Sequence, residues 1–191
     1  MIDNGLLSLN ETLGDIWPDE EVWSTVEDAE EKMNVTLESL ITMSGGLYQI
    51  QDSPLVLPSG AEDFGRNAVL NDVYFSELDI GIWNYLGLHW TWSYIILERT
   101  GMEPNAYAEA TVFPKLGIKS GSYKWHTNTY NVSGTAFGLE MTPTQMAKLG
   151  QLYLQGGLGG LNEDDYVVSA DYIDDSAAVT VPYEGGVYGY M

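Results

Sequence analysis

Apolar residues recur three and four positions apart over several stretches of the chain, and each stretch carries its own start or stop signal. Leu37, Leu40 and Ile41 share one face behind Thr36, a residue suited to capping a first helical turn, and Gly45-Gly46 stops the run. Trp92, Ile95, Ile96 and Arg99 stand at i, i+3, i+4 and i+7 in a helix predicted from about His89 to Thr100, with Gly101 just past its end. A further helix spans Glu103 to Phe113 and is closed by Pro114. The clearest pattern follows Thr142 and Pro143: Met146, Leu149, Gly150 and Tyr153 form one stripe before Gly156-Gly157, and Gly150 implies close helix packing there. A short helix is expected after Ser169, and Gly185 to Tyr190 alternates like a strand.

The segments between are less regular. Asn4-Gly5 has the form of a helix C-terminus with only three residues before it, and the stretch on to Pro18 reads as a loop. Glu20 to Lys32, with the run Glu27-Asp28-Ala29-Glu30-Glu31, reads as a solvated face, with cation binding as the rival. From Gln51 to Leu78 the pattern favours a long loop with short helical turns. A helix without its front and a strand that begins as the chain stops give both ends a cut look. There is no internal repeat and no low-complexity segment.

Composition changes this picture in one respect. The chain has 191 residues and 45 % apolar content, enough for one domain or a large piece of one. Its 28 acids face only 7 bases, a net charge of -21, which repels phosphate backbones and anionic lipid and excludes nucleic acid and membrane surfaces as natural partners. Such self-repulsion is tolerable where salt screens it, so a saline source fits; an ordinary acidic protein fits as well. The absence of cysteine excludes disulfides and thiolate chemistry within these residues. No apolar run approaches the ~18 residues of a membrane span, and the N-terminus shows no export pattern.

Several strings recur in a telling order. Ile2 to Leu9 reads IDNGLLSL, followed by Pro18 and then Val35 to Leu47, VTLESLITMSGGL. Gly81-Ile82-Trp83-Asn84-Tyr85 follows, then Ile95-Ile96 with Thr100-Gly101, and Phe113 to Ile118, FPKLGI. Gly138-Leu139-Glu140-Met141-Thr142-Pro143 leads into Met146-Ala147-Lys148-Leu149-Gly150, and Val168-Ser169 and Tyr188-Gly189-Tyr190 close the series. Together they resemble serine hydrolases of the β-lactamase and penicillin-binding-protein superfamily, class C-like branch, over nearly the whole chain. The resemblance implies an α+β, α-rich fold: a partial β-lactamase/transpeptidase-like fold made of the helical subdomain, its loops and the start of a sheet strand. Residues 1–191 would be the central part of one domain, truncated at both ends. It also implies acyl-serine chemistry on an ester, amide or β-lactam bond, a small-molecule or peptide-like acyl substrate, no metal or organic cofactor, and export to the periplasm or beyond. An esterase, peptidase or aminohexanoate-oligomer hydrolase fits better than a true β-lactamase.

That chemistry needs a Ser-x-x-Lys pair, in which the lysine helps the serine lose its proton, a tyrosine segment, and a later Lys-Thr-Gly or His-x-Gly. Neither the first nor the third motif occurs: Ser120 and Ser122 stand four and two residues before Lys124. In relatives these motifs lie before Gly5 and beyond the Tyr188-Gly189-Tyr190 strand, so the resemblance implies truncation. The tyrosine segment falls inside, and Tyr85 is the candidate general acid/base that relays the nucleophile's proton to the leaving group. The spacing on either side of Tyr85 is one residue shorter than in the family, and a shift in register would place Asn84 there instead. Packing of the Tyr85 ring beside Trp83 is the structural alternative.

His89 and His126 are too few for a histidine metal site and read as structural. Trp83, Trp90, Trp92 and Trp125 suit core packing, with an acyl- or sugar-lined cleft as the rival. The triplets at Asn10, Asn34 and Asn131 have the form of glycosylation acceptors, a frequent chance pattern. From a different class, a noncatalytic binding protein that keeps the scaffold also fits the missing serine and lysine.

Overall fold

The computed structural model describes residues 1–49, 70–71, 73–85, 89–159, 165–178, 181–183, 186–188 and 190. A 3-10 turn, Ile2–Asn4, ends at Gly5 in the left-handed conformation, as the Asn4-Gly5 signal predicts. Four short helices follow: α1 (Leu13–Ile16), α2 (Glu20–Trp23), α3 (Ala29–Met33) and α4 (Leu37–Ile41). β1 (Gly45–Gln49) pairs antiparallel with β2 (Val73–Ile80), with an irregular register between Gly45 and Leu47. Next come α5 (His89–Thr100) and α6 (Pro104–Thr111), then β3 (Lys124–Trp125) paired with β4 (Leu139–Glu140). α7 (Pro143–Leu154), α8 (Ala170–Ala178) and the antiparallel pair β5 (Val181–Tyr183) and β6 (Gly186–Tyr188) complete the order.

Two apolar clusters hold these elements. The larger joins Leu13, Ile16 and Trp17 to Leu37 and Leu40 of α4 and to Ile95 of α5. Its polar seams face the same way: Trp17 Nε1 donates to Glu98 at 3.2 Å, and Arg99 pairs with Glu11 at 2.5 Å. The smaller cluster gathers Phe113, Leu116 and Ile118 against Leu152 of α7. The loop between β3 and β4 is tied to α5 and α6 by side chains. Asn128 Nδ2 donates to the Tyr94 hydroxyl at 2.9 Å, Thr135 N to Ser93 Oγ at 3.0 Å, and Ser133 Oγ to Glu103 at 2.7 Å. Glu103 also caps α6 through the amides of Asn105 and Ala106, so one carboxylate fixes both a helix start and a loop.

The predicted helix starts hold at Thr36 and Thr142, whose hydroxyls accept from Ser39 N and Gln145 N; Gln145 completes a capping box. Three expectations are corrected. The loop to Pro18 contains α1, started by a Thr12/Asp15 capping box and kept by burial of Leu13 and Ile16. The stretch from Glu20 to Lys32 does present a solvated acidic face, Glu27, Asp28, Glu30 and Glu31 being exposed, but Val22, Trp23, Val26 and Lys32 of the same stretch are buried. The long loop ends early, since 73–78 belong to β2, while 51–69 and 72 lie outside the described residues. On α7 the apolar stripe faces outward, with Met146 62 % and Tyr153 48 % exposed, because Leu152 and Gln145 take the inner face. A methyl group at Gly150 would meet nothing within 4 Å, so no close packing explains that glycine.

Candidate functional site

Tyr85 lies just beyond the end of β2, and the path to it is set by main-chain hydrogen bonds back to the start of β1. Gly81 N donates to Ser44 O at 2.8 Å, Ile82 N to Asp79 O at 3.0 Å, and Asn84 N to Met43 O at 2.9 Å. The turn from α4 into β1 makes these acceptors available: Met43 takes a positive φ of 55°, and Ser44 N returns to Ser39 O at 2.8 Å. At Gly46, φ is +71° and an added Cβ would lie 2.6 Å from Ser76 O, so the two strands approach closely enough only because that residue is glycine.

Side chains lock the same corner. The Tyr48 hydroxyl donates to Asp79 and accepts from Asn84. Its ring stacks on Tyr74 with centroids 5.1 Å apart. Ser76 Oγ also donates to Asp79. The bond to a carboxylate pushes the Tyr48 phenol above the ordinary tyrosine range, with desolvation adding to it. Hydrogen bonds from Ser76 and then Tyr48 hold the Asp79 carboxyl below the usual carboxylate range. Sequence reasoning missed Tyr48, Ser76 and Asp79, which lie on strands joined by a long intervening segment. The alternation around Tyr48 was the available signal.

Tyr85 itself is 72 % exposed, its ring centroid 6.1 Å from that of half-buried Trp83 at a 48° tilt. The phenol is therefore presented to solvent, where a bound molecule could reach it. Asn84, the alternative position, is held by Tyr48 and by its own amide. The other sequence candidates lie elsewhere. His126 Nε2 stands 2.6 Å from Glu140 across the β3–β4 pair, a structural ion pair when protonated. His89 opens α5, but its side chain and that of Trp90 lie outside the described residues. Trp92 packs on the larger cluster, and Trp125 sits with Phe113 and donates to Gly134 O at 2.8 Å. Ser122 bonds Lys119 O and accepts from Gln145, a turn-stabilising role.

A second concave feature lies between the N-terminal turn and α5, a groove of about 610 Å³ lined by Ile2, Leu7, Leu37, Trp92, Ile96 and Tyr172. Trp92 Nε1 is buried without an acceptor among the described residues. Desolvation pushes the Tyr172 phenol up to about 12. Among the described residues there is no group of three or more His, Cys, Asp or Glu side chains that could hold a metal, and no helix long and apolar enough to cross a membrane.

No protein-family model matches the sequence, and none of the curated proteins matches it. Solved structures do. A protein described as a 6-aminohexanoate-dimer hydrolase from Bacillus anthracis superposes with a TM-score of 0.67 at 16 % identity, over 94 % of this chain and 48 % of that one. A D-stereospecific amidohydrolase from Streptomyces sp. gives 0.66 at 14 % identity, over 99 % of this chain and 64 % of that one. The chain thus spans between about half and two thirds of the length of these two neighbours. At these identities the likeness is one of fold, and the fold is mixed α and β, like that of these β-lactamase-like neighbours.

Proposed function

We propose that these residues are the central part of a serine hydrolase domain of the β-lactamase-related class C-like branch, which cleaves an amide or a related acyl bond through an acyl-serine. The observation that carries this reading is the presentation of Tyr85: an exposed phenol on a segment hung from Met43 and Ser44, within a fold shared with two hydrolases. The names of both neighbours favour the amide among the ester, amide and β-lactam bonds that the sequence resemblance allows. Further polypeptide of the same domain would supply the nucleophilic serine and its lysine. It would also cover the apolar groove beside Ile2 and the outward stripe of α7. Tyr85 would then pass the serine's proton to the leaving group, the Met43–Ser44 anchor setting where its hydroxyl stands. The substrate is a small molecule or peptide-like acyl compound, and the chemistry calls for no metal or organic cofactor.

A noncatalytic binding protein on the same scaffold is the second reading, favoured by the absence of any Ser-x-x-Lys within the 191 residues. Labelling with a fluorophosphonate probe separates the two. The 191-residue chain should give no covalent adduct, since loss of a nucleophile in a triad-type site costs on the order of 10⁶ in rate. A longer polypeptide from the same gene should be labelled stoichiometrically at a serine three residues before a lysine. Failure to label any longer product would leave the binding protein as the better account. Labelling of the 191 residues themselves would overturn the assignment of the missing nucleophile.

A further inference from the structure

We propose that the cleft between α7 and the 114–117 turn is a binding site for a small oxyanion, a carboxylate or a phosphate. The cleft has a volume of about 510 Å³. Among the described residues its polar side chains are Lys148 and Gln151 on α7 and Gln155 at that helix's C-cap, at i, i+3 and i+7, Lys115 from the opposing turn, and Asp165. The chain has seven bases in all, and two of them meet here. In a molecule of net charge -21, a solvated acidic face is the expected surface, and a cleft whose described lining holds two lysines and one carboxylate departs from it.

The donors are positioned and only partly used. Lys148 Nζ donates to Gly117 O at 2.9 Å, which among the described residues leaves two of its three N–H groups uncommitted. Lys115 Nζ donates to Tyr166 O at 2.7 Å and stands 3.8 Å from Asp165, the one carboxylate among the described lining residues. The side chains of Gln151 and Gln155 make no hydrogen bond among the described residues, so two further amide donors border the same space. The carbonyl contact of Lys148 holds its stem in place without neutralising its charge, while Lys115 already faces Asp165, so the Lys148 ammonium supplies the charge left to meet an acceptor of opposite sign. An oxyanion satisfies that requirement through charge-assisted bonds to the lysines and neutral ones to the glutamines. The long-range field of the protein opposes its approach, so selectivity rests on these short contacts.

The test is a nuclear magnetic resonance titration of the 191-residue chain with inorganic phosphate and, separately, with succinate, at constant ionic strength made up with potassium chloride. The expected result is saturable shifts of the amides at 115–118 and 148–155, reached at millimolar concentration with at least one of the two probes. Saturation by phosphate alone, or by succinate alone, identifies which oxyanion the cleft prefers. Lys148→Met should weaken binding about tenfold or more, the scale of a charge-assisted hydrogen bond. Gln151→Leu, at an exposed position whose side chain makes no other hydrogen bond among the described residues, should weaken it severalfold and guards against a folding defect in the lysine variant. Lys124→Met, on β3 outside the cleft, should change nothing. Shifts that do not saturate, or that persist unchanged in both Lys148→Met and Gln151→Leu, would overturn the proposal. The probes test the cleft alone, so a negative result leaves the hydrolase reading where the fluorophosphonate experiment puts it.

Discussion

Lys32 shows how much a single residue can depart from its sequence context. It follows four acids in a run of polar residues, yet it is 1 % exposed, and its ammonium donates to Val73 O at 2.7 Å and Leu70 O at 3.1 Å. The neighbouring acids join the same clasp, Asp28 accepting from Phe75 N and the Glu27 amide donating to Asn71. Burial lowers the Lys32 pKa below 10.5 in the folded chain, while Asp28 and Glu27 oppose that shift. Lys32→Met should therefore strand two carbonyls and cost about 1 to 3 kcal/mol near neutral pH. The sign of its pH dependence follows from linkage. Between the lowered folded pKa and the unfolded 10.5 the unfolded chain binds more protons, so folding of the wild type gains stability as pH rises through that window. The methionine variant has no such group, and its deficit should widen with pH; melts of both proteins at several pH values measure it, and a deficit that shrinks toward pH 10.5 would remove the buried, charged lysine. At the site, Tyr85→Phe in a labelled longer product should slow acylation by roughly 10²- to 10⁴-fold with an unchanged melt. Asn84→Ala should loosen the corner held by Tyr48 with a smaller effect on rate. The reverse ranking would assign the relay to Asn84.

Among the elements, what was legible in the sequence is what local chemistry decides. α4, α5 and α7 each pair a capping residue, a proline or a closing glycine with a three-four apolar rhythm, α6 is bounded by Glu103 and Pro114, and all four lie where those signals place them. Tyr85 became a candidate only through the order of motifs around it. The Tyr48–Asp79–Asn84 corner and the Lys32 clasp were not, because each depends on strand pairing across a long separation, and periodicity carries no information about a partner so distant in sequence. The orientation of α7 was hidden for another reason. Its sequence offers two apolar faces sharing Leu149, and only the docking of Phe113 and Leu116 on Leu152 selects the inner one. Glycines give a paired test of these placements. Gly46→Ala should destabilise by about 1 to 3 kcal/mol, since it meets both a positive φ and the Ser76 carbonyl. Gly150→Ala, mid-helix with open space around it, should stabilise the 191-residue chain by about 0.5 to 1 kcal/mol. Thermal or denaturant unfolding of both variants checks the pair, and a loss of stability at Gly150 would restore the closely packed helix face that the sequence pattern suggested.

At the scale of the whole molecule, charge is the property with the broadest consequence. Seven bases cannot neutralise 28 acids, and the ion pairs among the described residues are few: Arg99 with Glu11, Lys115 with Asp165, and His126 with Glu140 when the histidine is protonated. Two of these are largely exposed, so salt has little attraction to weaken. It has a great deal of repulsion to screen, because the remaining acids share one small surface. Unfolding spreads the charges apart, and repulsion therefore favours the unfolded chain whenever the Debye length is long. Raising ionic strength from 0.01 M to 0.15 M shortens that length from about 30 Å to about 8 Å, and 1 M leaves about 3 Å. The midpoint of thermal unfolding should rise with potassium chloride, with most of the rise below physiological ionic strength, where screening changes fastest. A non-ionic osmolyte at matched osmolality serves as the control, since it strengthens burial without screening charge. A flat or falling midpoint in potassium chloride would mean that the three ion pairs outweigh the net charge, and it would remove the physical ground for a saline setting.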